Sequence, residues 1–301
     1  MNDTEPTPDR SETRTVELPF GPCRVRLSGG GTTAPGVPIL LVHGLLVDGT
    51  LWDRVAPGLA ERHLVIQPDL PIGAHQLPAV DRSVLHPEGV ADALVVLLDR
   101  LGVDRAIVVG NDTGGALAQI MTARHPERVA ALVLTSCDAF DHFPPTVLKP
   151  VVPLLKIPGA IELIGFGYRF RAIRRSWLGV GLLLEHPIDD ALIAPWFDRI
   201  TADRRNRRDI SAFLRHCRPA LTHAAADALR TFEQPVLLAW SRGDRLFPEG
   251  DARRLAELLP DATLAWVEGA RTFSVLDQPD RVRELIHAFV DRAGLAVSQD
   301  A

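Results

Sequence analysis

The sequence predicts an α/β domain: a mostly parallel central sheet flanked by helices, with a helical lid inserted between two sheet strands. Three observations point to it. Short apolar runs alternate with helical patterns along most of the chain, as in strands linked by crossover helices. The rhythm stops over residues 141–230, which are rich in helix formers and show no clear strand. A glycine-rich turn, Gly110-Asn111-Asp112-Thr113-Gly114-Gly115, joins one strand to a helix.

The apolar runs predict strands over residues 38–42, 64–67, 106–109, 131–134, 236–240 and 263–267. Helical patterns cover residues 87–101, 116–125, 251–259 and 280–293. The opening MNDTEPTPDRSETRT is polar without an apolar centre, so residues 1–15 are expected to be a disordered tail and not a secretory signal. This leaves a core of residues 16–140 and 231–301 around the lid. Ligands bind beyond the carboxyl ends of parallel strands, and the 141–230 insertion leaves one such end, which favours a lid over plain packing helices.

At 301 residues, with 46% hydrophobic and 24% charged side chains, the chain can bury one large core. Its net charge of −5 comes from interspersed charges, so no nucleic-acid partner is expected. The longest apolar run, VVPLLKIPGAIELIGFG, is broken by Pro153, Lys156, Pro158 and Glu162, so no membrane partner is expected either. Cys23, Cys137 and Cys217 are far apart and odd in number, which suits reduced thiols and a cytoplasmic location. The expected partner is a small-molecule substrate, without cofactor or metal. Oligomeric state is left open.

The turn at Asp112 has the G-x-nucleophile-x-G-G form of a nucleophile elbow. A strand that turns sharply into a helix strains its central residue, and only small neighbours tolerate this. The side chain then stands at the helix N-terminus, where the backbone favours an anion. Asp and Asn are also ordinary helix caps, so the turn alone is weak. Two further features strengthen it. His43-Gly44 follows an apolar strand, which would aim the N–H groups of Leu45 and Thr113 at a developing oxyanion. Asp244, in Trp240-Ser241-Arg242-Gly243-Asp244, follows the strand over 236–240.

On these residues the chain resembles the α/β-hydrolase superfamily over nearly all its length after the tail. An aspartate at the elbow resembles the haloalkane dehalogenase and epoxide hydrolase branch. That resemblance implies the α/β-hydrolase fold and an attack by Asp112 on carbon. It further implies an alkyl-enzyme ester, then hydrolysis by water activated by a histidine that Asp244, the triad acid, orients. The resemblance fails at the histidine. The turn after the strand over 263–267 reads Glu268-Gly269-Ala270-Arg271-Thr272-Phe273, with Thr272 in the histidine position. A threonine hydroxyl cannot deprotonate water near neutral pH. The dehalogenase tryptophan beside the nucleophile is also absent, Thr113 standing there. Of the two lid tyrosines of epoxide hydrolases only Tyr168 could serve.

Replacements for the missing base can be sought. His142, near the lid hinge, and Asp138, at a strand end, are accessory candidates, although each also reads as a surface or capping residue. His216 and His223 lie in the lid and read as surface or packing histidines. His125 reads as a helix C-cap, and His43 as a brace for its loop. Three functions therefore stand open: a hydrolase-like enzyme acting through Asp112 on a small, largely apolar electrophile, with an atypical triad; an isomerase, lyase or cyclase using Asp112 as general acid or base; and a non-catalytic ligand-binding homologue.

Overall fold

The computed structural model describes residues 11–29, 36–154, 157 and 160–296. Eight strands form one sheet in the order β1-β2-β4-β3-β5-β6-β7-β8. They are β1 (Ser11–Leu18), β2 (Gly21–Ser28), β3 (Gly36–Val42), β4 (His63–Pro68), β5 (Ala106–Asp112), β6 (Val129–Cys137), β7 (Val236–Ser241) and β8 (Ala262–Val267). β2 pairs antiparallel with β1 and β4, and every other pairing is parallel. Every residue of β5, β6 and β7 is buried. This is why they read as continuous apolar runs: helices cover both faces of a parallel sheet.

The polar opening is only partly a tail. Ser11–Leu18 forms β1, paired in full with β2, which corrects the expectation of disorder for residues 11–15. The rest of that expectation, residues 1–10, lies outside the described residues. β1 is an edge strand with most side chains exposed, and edges favour polar and charged residues. Its polarity therefore reports position in the sheet, and its β-branched Thr13, Thr15 and Val16 suit a strand.

From β3 the chain passes to β4 on one side of the sheet and later to β5 on the other. The carboxyl ends of β3 and β5 flank this reversal, where open α/β sheets bind their ligands. Between β6 and β7 the described residues are helical, with helices Ala160–Gly167, Asp190–Ala202, Arg204–Leu214 and Pro219–Ala228. Asp209 ties this insertion to the core. Its buried carboxylate accepts from the Ala79 amide at 2.9 Å and faces His75 Nε2 at 3.2 Å and the Arg82 guanidinium. Trp196 Nε1 donates to Thr50 Oγ1 at 2.7 Å and Asp48 Oδ1 at 3.1 Å. No helix among the described residues is long and apolar enough to cross a membrane.

Candidate active site

Five segments bring side chains to the carboxyl edge of the parallel strands: those after β3, β5, β6, β7 and β8. Asp112 ends β5 with φ 53° and ψ −129°, outside the helix that follows at Thr113–Arg124. That left-handed backbone is the strain expected of an elbow. It is tolerated because two flanking chains come close. A Cβ on Gly114 would lie 2.2 Å from the Val42 carbonyl oxygen, and one on Gly44 would lie 2.3 Å from Asp112 Oδ2. The glycine after His43 thus lets the β3 loop close over the carboxylate.

The Leu45 amide donates to Asp112 Oδ2 at 2.9 Å, and the neighbouring Thr113 amide favours the charged carboxylate. The Leu45 amide, one of the two sequence-predicted donors, thus bonds Asp112 itself. Burial nevertheless dominates and pushes its pKa up to about 7, the two amides opposing the rise and the charge of Asp244 adding to it. Asp244 Oδ1 accepts from the amides of Leu246 and Phe247 at 2.8 and 3.0 Å, and from Thr272 Oγ1 at 3.0 Å. Burial raises its pKa as well, against those donors. Thr272 is fully buried, and its hydroxyl is linked directly to the Asp244 carboxylate.

The accessory candidates divide. Asp138 is fully buried near the elbow, where its Oδ2 accepts from Thr113 Oγ1 at 2.9 Å. Burial and the Asp112 charge raise its pKa well above the usual carboxylate range. His142 is corrected. Its Nδ1 lies 2.6 Å from Asp251 Oδ2, it is part-exposed, and it is not among the residues lining the cavity at Asp112. A carboxylate on the helix Glu249–Leu258 has drawn it away. Tyr168 does line that cavity, but its hydroxyl donates to the Leu178 carbonyl at 2.9 Å, and burial raises its pKa to about 12. It is a poor proton donor there.

The other histidine candidates are not among the residues lining that cavity. His216 Nδ1 meets the Ala212 carbonyl, His223 pairs with Asp141, and His125 with Asp92. His43 braces its loop: Nε2 accepts from the Leu70 amide at 2.8 Å, and Nδ1 lies 2.8 Å from the Gly44 carbonyl. Burial lowers its pKa to about 4, so it stays neutral.

The cavity above Asp112 has a volume of about 400 Å³. Leu45, Leu46 and Leu246 come from the sheet side, and residues between Pro145 and Leu183 from the insertion, among them Ile164, Ile173 and Trp177. Asp112 is the one carboxylate among its lining residues. Among the described residues no cluster of His, Cys, Asp and Glu could hold a metal ion. Asn111 is a site residue that sequence reasoning passed over. Its Nδ2 donates to Thr135 O at 3.1 Å, Thr135 Oγ1 at 3.0 Å and Thr272 O at 2.7 Å, tying the elbow to β6 and to the turn after β8. Its place beside Asp112 was the available signal.

With this geometry in hand the chain can be set beside known proteins. A family model described as alpha/beta hydrolase fold matches residues 37–159. The magnesium-chelatase 30 kDa subunit of Rhodobacter capsulatus is 31% identical over 241 residues, covering 78% of this chain and 81% of that protein. The chain belongs to the α/β-hydrolase family. Within the family, haloalkane dehalogenase 2 of Mycobacterium tuberculosis is 26% identical over 267 residues, covering 86% of this chain and 88% of that one. The solved structure of the epoxide hydrolase CorEH superposes with a TM-score of 0.76 at 20% identity, over 94% of this chain and 99% of that one. At that identity the likeness speaks for the α/β-hydrolase fold alone.

Proposed function

We propose that this α/β-hydrolase-family chain is an enzyme that acts on a small, largely apolar electrophile, with Asp112 as the attacking group. One observation carries the reading. Asp112 Oδ2 is held at 2.9 Å by the Leu45 amide, while the same carboxyl borders a cavity of otherwise mostly apolar lining. A carboxylate pinned by one oxygen presents the other in a fixed direction. Attack by Oδ1 on carbon forms an ester; with an alkyl bromide the C–Br bond breaks and bromide departs with its electron pair, and with an epoxide the ring C–O bond breaks and the oxygen stays on the alkyl chain, taking a proton from water. The amides of Leu45 and Thr113 then face the ester carbonyl oxygen. Among the described residues lining the cavity there is no imidazole to activate water, so release of the ester is slow. The insertion over residues 141–230 serves as the lid. At interior packing density the cavity suits a substrate of roughly 15 non-hydrogen atoms.

The test is the intact mass of the protein after exposure to medium-chain alkyl bromides and epoxides. A single alkyl adduct mapping to the peptide that holds Asp112, and absent from Asp112→Asn, is expected. Neither adduct nor turnover across the panel would sink the reading.

A second reading is favoured by the pKa of Asp112. At about 7 the group is poised to take and return protons near neutral pH. The reaction would then be an isomerisation, elimination or cyclisation. Solvent deuterium appearing in a converted substrate, without any adduct, would select it.

A further inference from the structure

We propose that the outer face of the helical insertion docks onto an anionic lipid bilayer, from which apolar substrate enters the cavity at Asp112. The docking stands on the surface alone, and the delivery of substrate rests on the function proposed above. Nine large hydrophobic residues are exposed among the described residues, and eight of them lie between Leu154 and Leu192. Leu163 is 72% exposed, Trp177 61%, Phe170 53%, Phe166 51% and Leu178 46%. Leu163, Trp177 and Leu178 also line the cavity, so the apolar surface runs to its mouth. The rings of Phe166 and Phe170 meet edge to face at 5.7 Å, beside Leu163 on the same stretch of chain. A patch of this kind exceeds the scattered single hydrophobics of an ordinary surface.

Charge identifies the occupant. Residues 144–192 carry Lys149, Lys156, Arg169, Arg171, Arg174 and Arg175 against Glu162, Glu185, Asp189 and Asp190, in a chain of net charge −5. Arg174 and Arg175 are tied to Asp190, and Arg174 also to Asp198. Arg169 lies over the Phe166 ring at 5.8 Å, and Arg171 is two-thirds exposed with only a 3.8 Å approach to Asp190. Exposed aromatics interleaved with arginine suit the interface between anionic headgroups and acyl chains. Tryptophan favours that depth. A symmetric pair of chains meeting on this face would bring the same arginines toward one another, which disfavours a second copy as the occupant. The earlier expectation of no membrane partner rested on the lack of a spanning segment and does not bear on a surface contact.

The test is sedimentation of the full chain and of Asp112→Asn with vesicles of equimolar phosphatidylcholine and phosphatidylglycerol, and with vesicles of phosphatidylcholine alone. Both proteins are expected to bind the anionic vesicles at least about tenfold more tightly and to be released as salt rises. Phe166→Ser with Phe170→Ser, and separately Arg169→Glu with Arg171→Glu, should each weaken binding about tenfold or more at an unchanged melting temperature. No binding, or binding indifferent to both pairs of substitutions, overturns the proposal. So does self-association that these substitutions abolish in a protein that ignores vesicles. Vesicle binding without any adduct at Asp112 would defeat only the proposed reaction; an adduct without vesicle binding would defeat only the docking.

Discussion

The turn after β5 and the turn after β8 stand at the same edge of the sheet, yet their side chains have different partners. At the first, a strained backbone and close-packed glycines hold Asp112 against a cavity, with the Leu45 amide on its carboxyl. At the second, Arg271, Thr272 and Asp277 are engaged in structure. Thr272 donates to Asp244, and Asn111 donates to the Thr272 carbonyl. Arg271 donates to the carbonyls of Gly181 and Leu184 and lies 2.7 Å from Glu185. Asp277 accepts from the amides of Glu185 and His186, and the Phe273 amide donates to the Leu183 carbonyl. The turn that in the resembled branch carries a base here clamps the insertion that roofs the cavity. At one edge of the sheet, one turn thus holds a carboxylate against the cavity while the other anchors the insertion.

The largest expected effect comes from making the second turn resemble that branch. Thr272→His places an imidazole beside Asp244 Oδ1, on the side of Asp112. Decay of the Asp112 adduct should accelerate by about 10²–10⁴-fold, the usual worth of a positioned base. Thr272 is fully buried, so the larger ring should also destabilise the fold by about 1–3 kcal/mol. A folded variant whose adduct persists as in the parent would show that the turn no longer aims at Asp112.

The parallel strands and their helices were legible because burial on both faces leaves continuous apolar runs. Residues 106–109, expected as a strand, lie within β5 (Ala106–Asp112), and 236–240 within β7 (Val236–Ser241). β1 and β2 were missed because the edge strand Ser11–Leu18 is mostly exposed and carries no apolar run. The elbow was legible because its glycines are set by local backbone geometry. The engagement of His142 with Asp251, and of Tyr168 with Leu178, was not legible. Each depends on which group the tertiary fold brings to a side chain, and one sequence does not reveal that.

A second contrast between the turns is electrostatic. Asp112 titrates at about 7 in the fold, against 3.8 as its ordinary value. Between about pH 4 and pH 7 the unfolded chain has released this proton and the folded chain retains it. The folded state therefore loses stability as pH rises through that window, by up to about 4 kcal/mol. Asp112→Asn keeps an oxygen for the Leu45 amide and has no charge to desolvate. At pH near 8 it should melt higher than the parent, and near pH 4 the gap should close. Equal melting temperatures at both values would show that the elbow amides fully offset burial. A gain at pH 8 would place the cost of the buried Asp112 charge in the elbow.

The smallest effect probes whether the second turn is structural. Thr272→Val preserves shape and removes only the hydroxyl that donates to Asp244 Oδ1 at 3.0 Å. Asp244 keeps its two backbone donors from Leu246 and Phe247, so the loss is one of three hydrogen bonds to a buried carboxylate. Such a bond to a charged group is worth about 1.5–3 kcal/mol. The melting temperature should fall by a few degrees, on the order of 2–4 °C per kcal/mol. With one donor gone Asp244 holds its proton to higher pH. Its charge then bears less on Asp112 near neutrality, and the pH at which Asp112 begins to react should move slightly down. A fall in stability without that shift would mean that the two carboxyls are electrostatically separate. The elbow would then owe its raised pKa to burial alone.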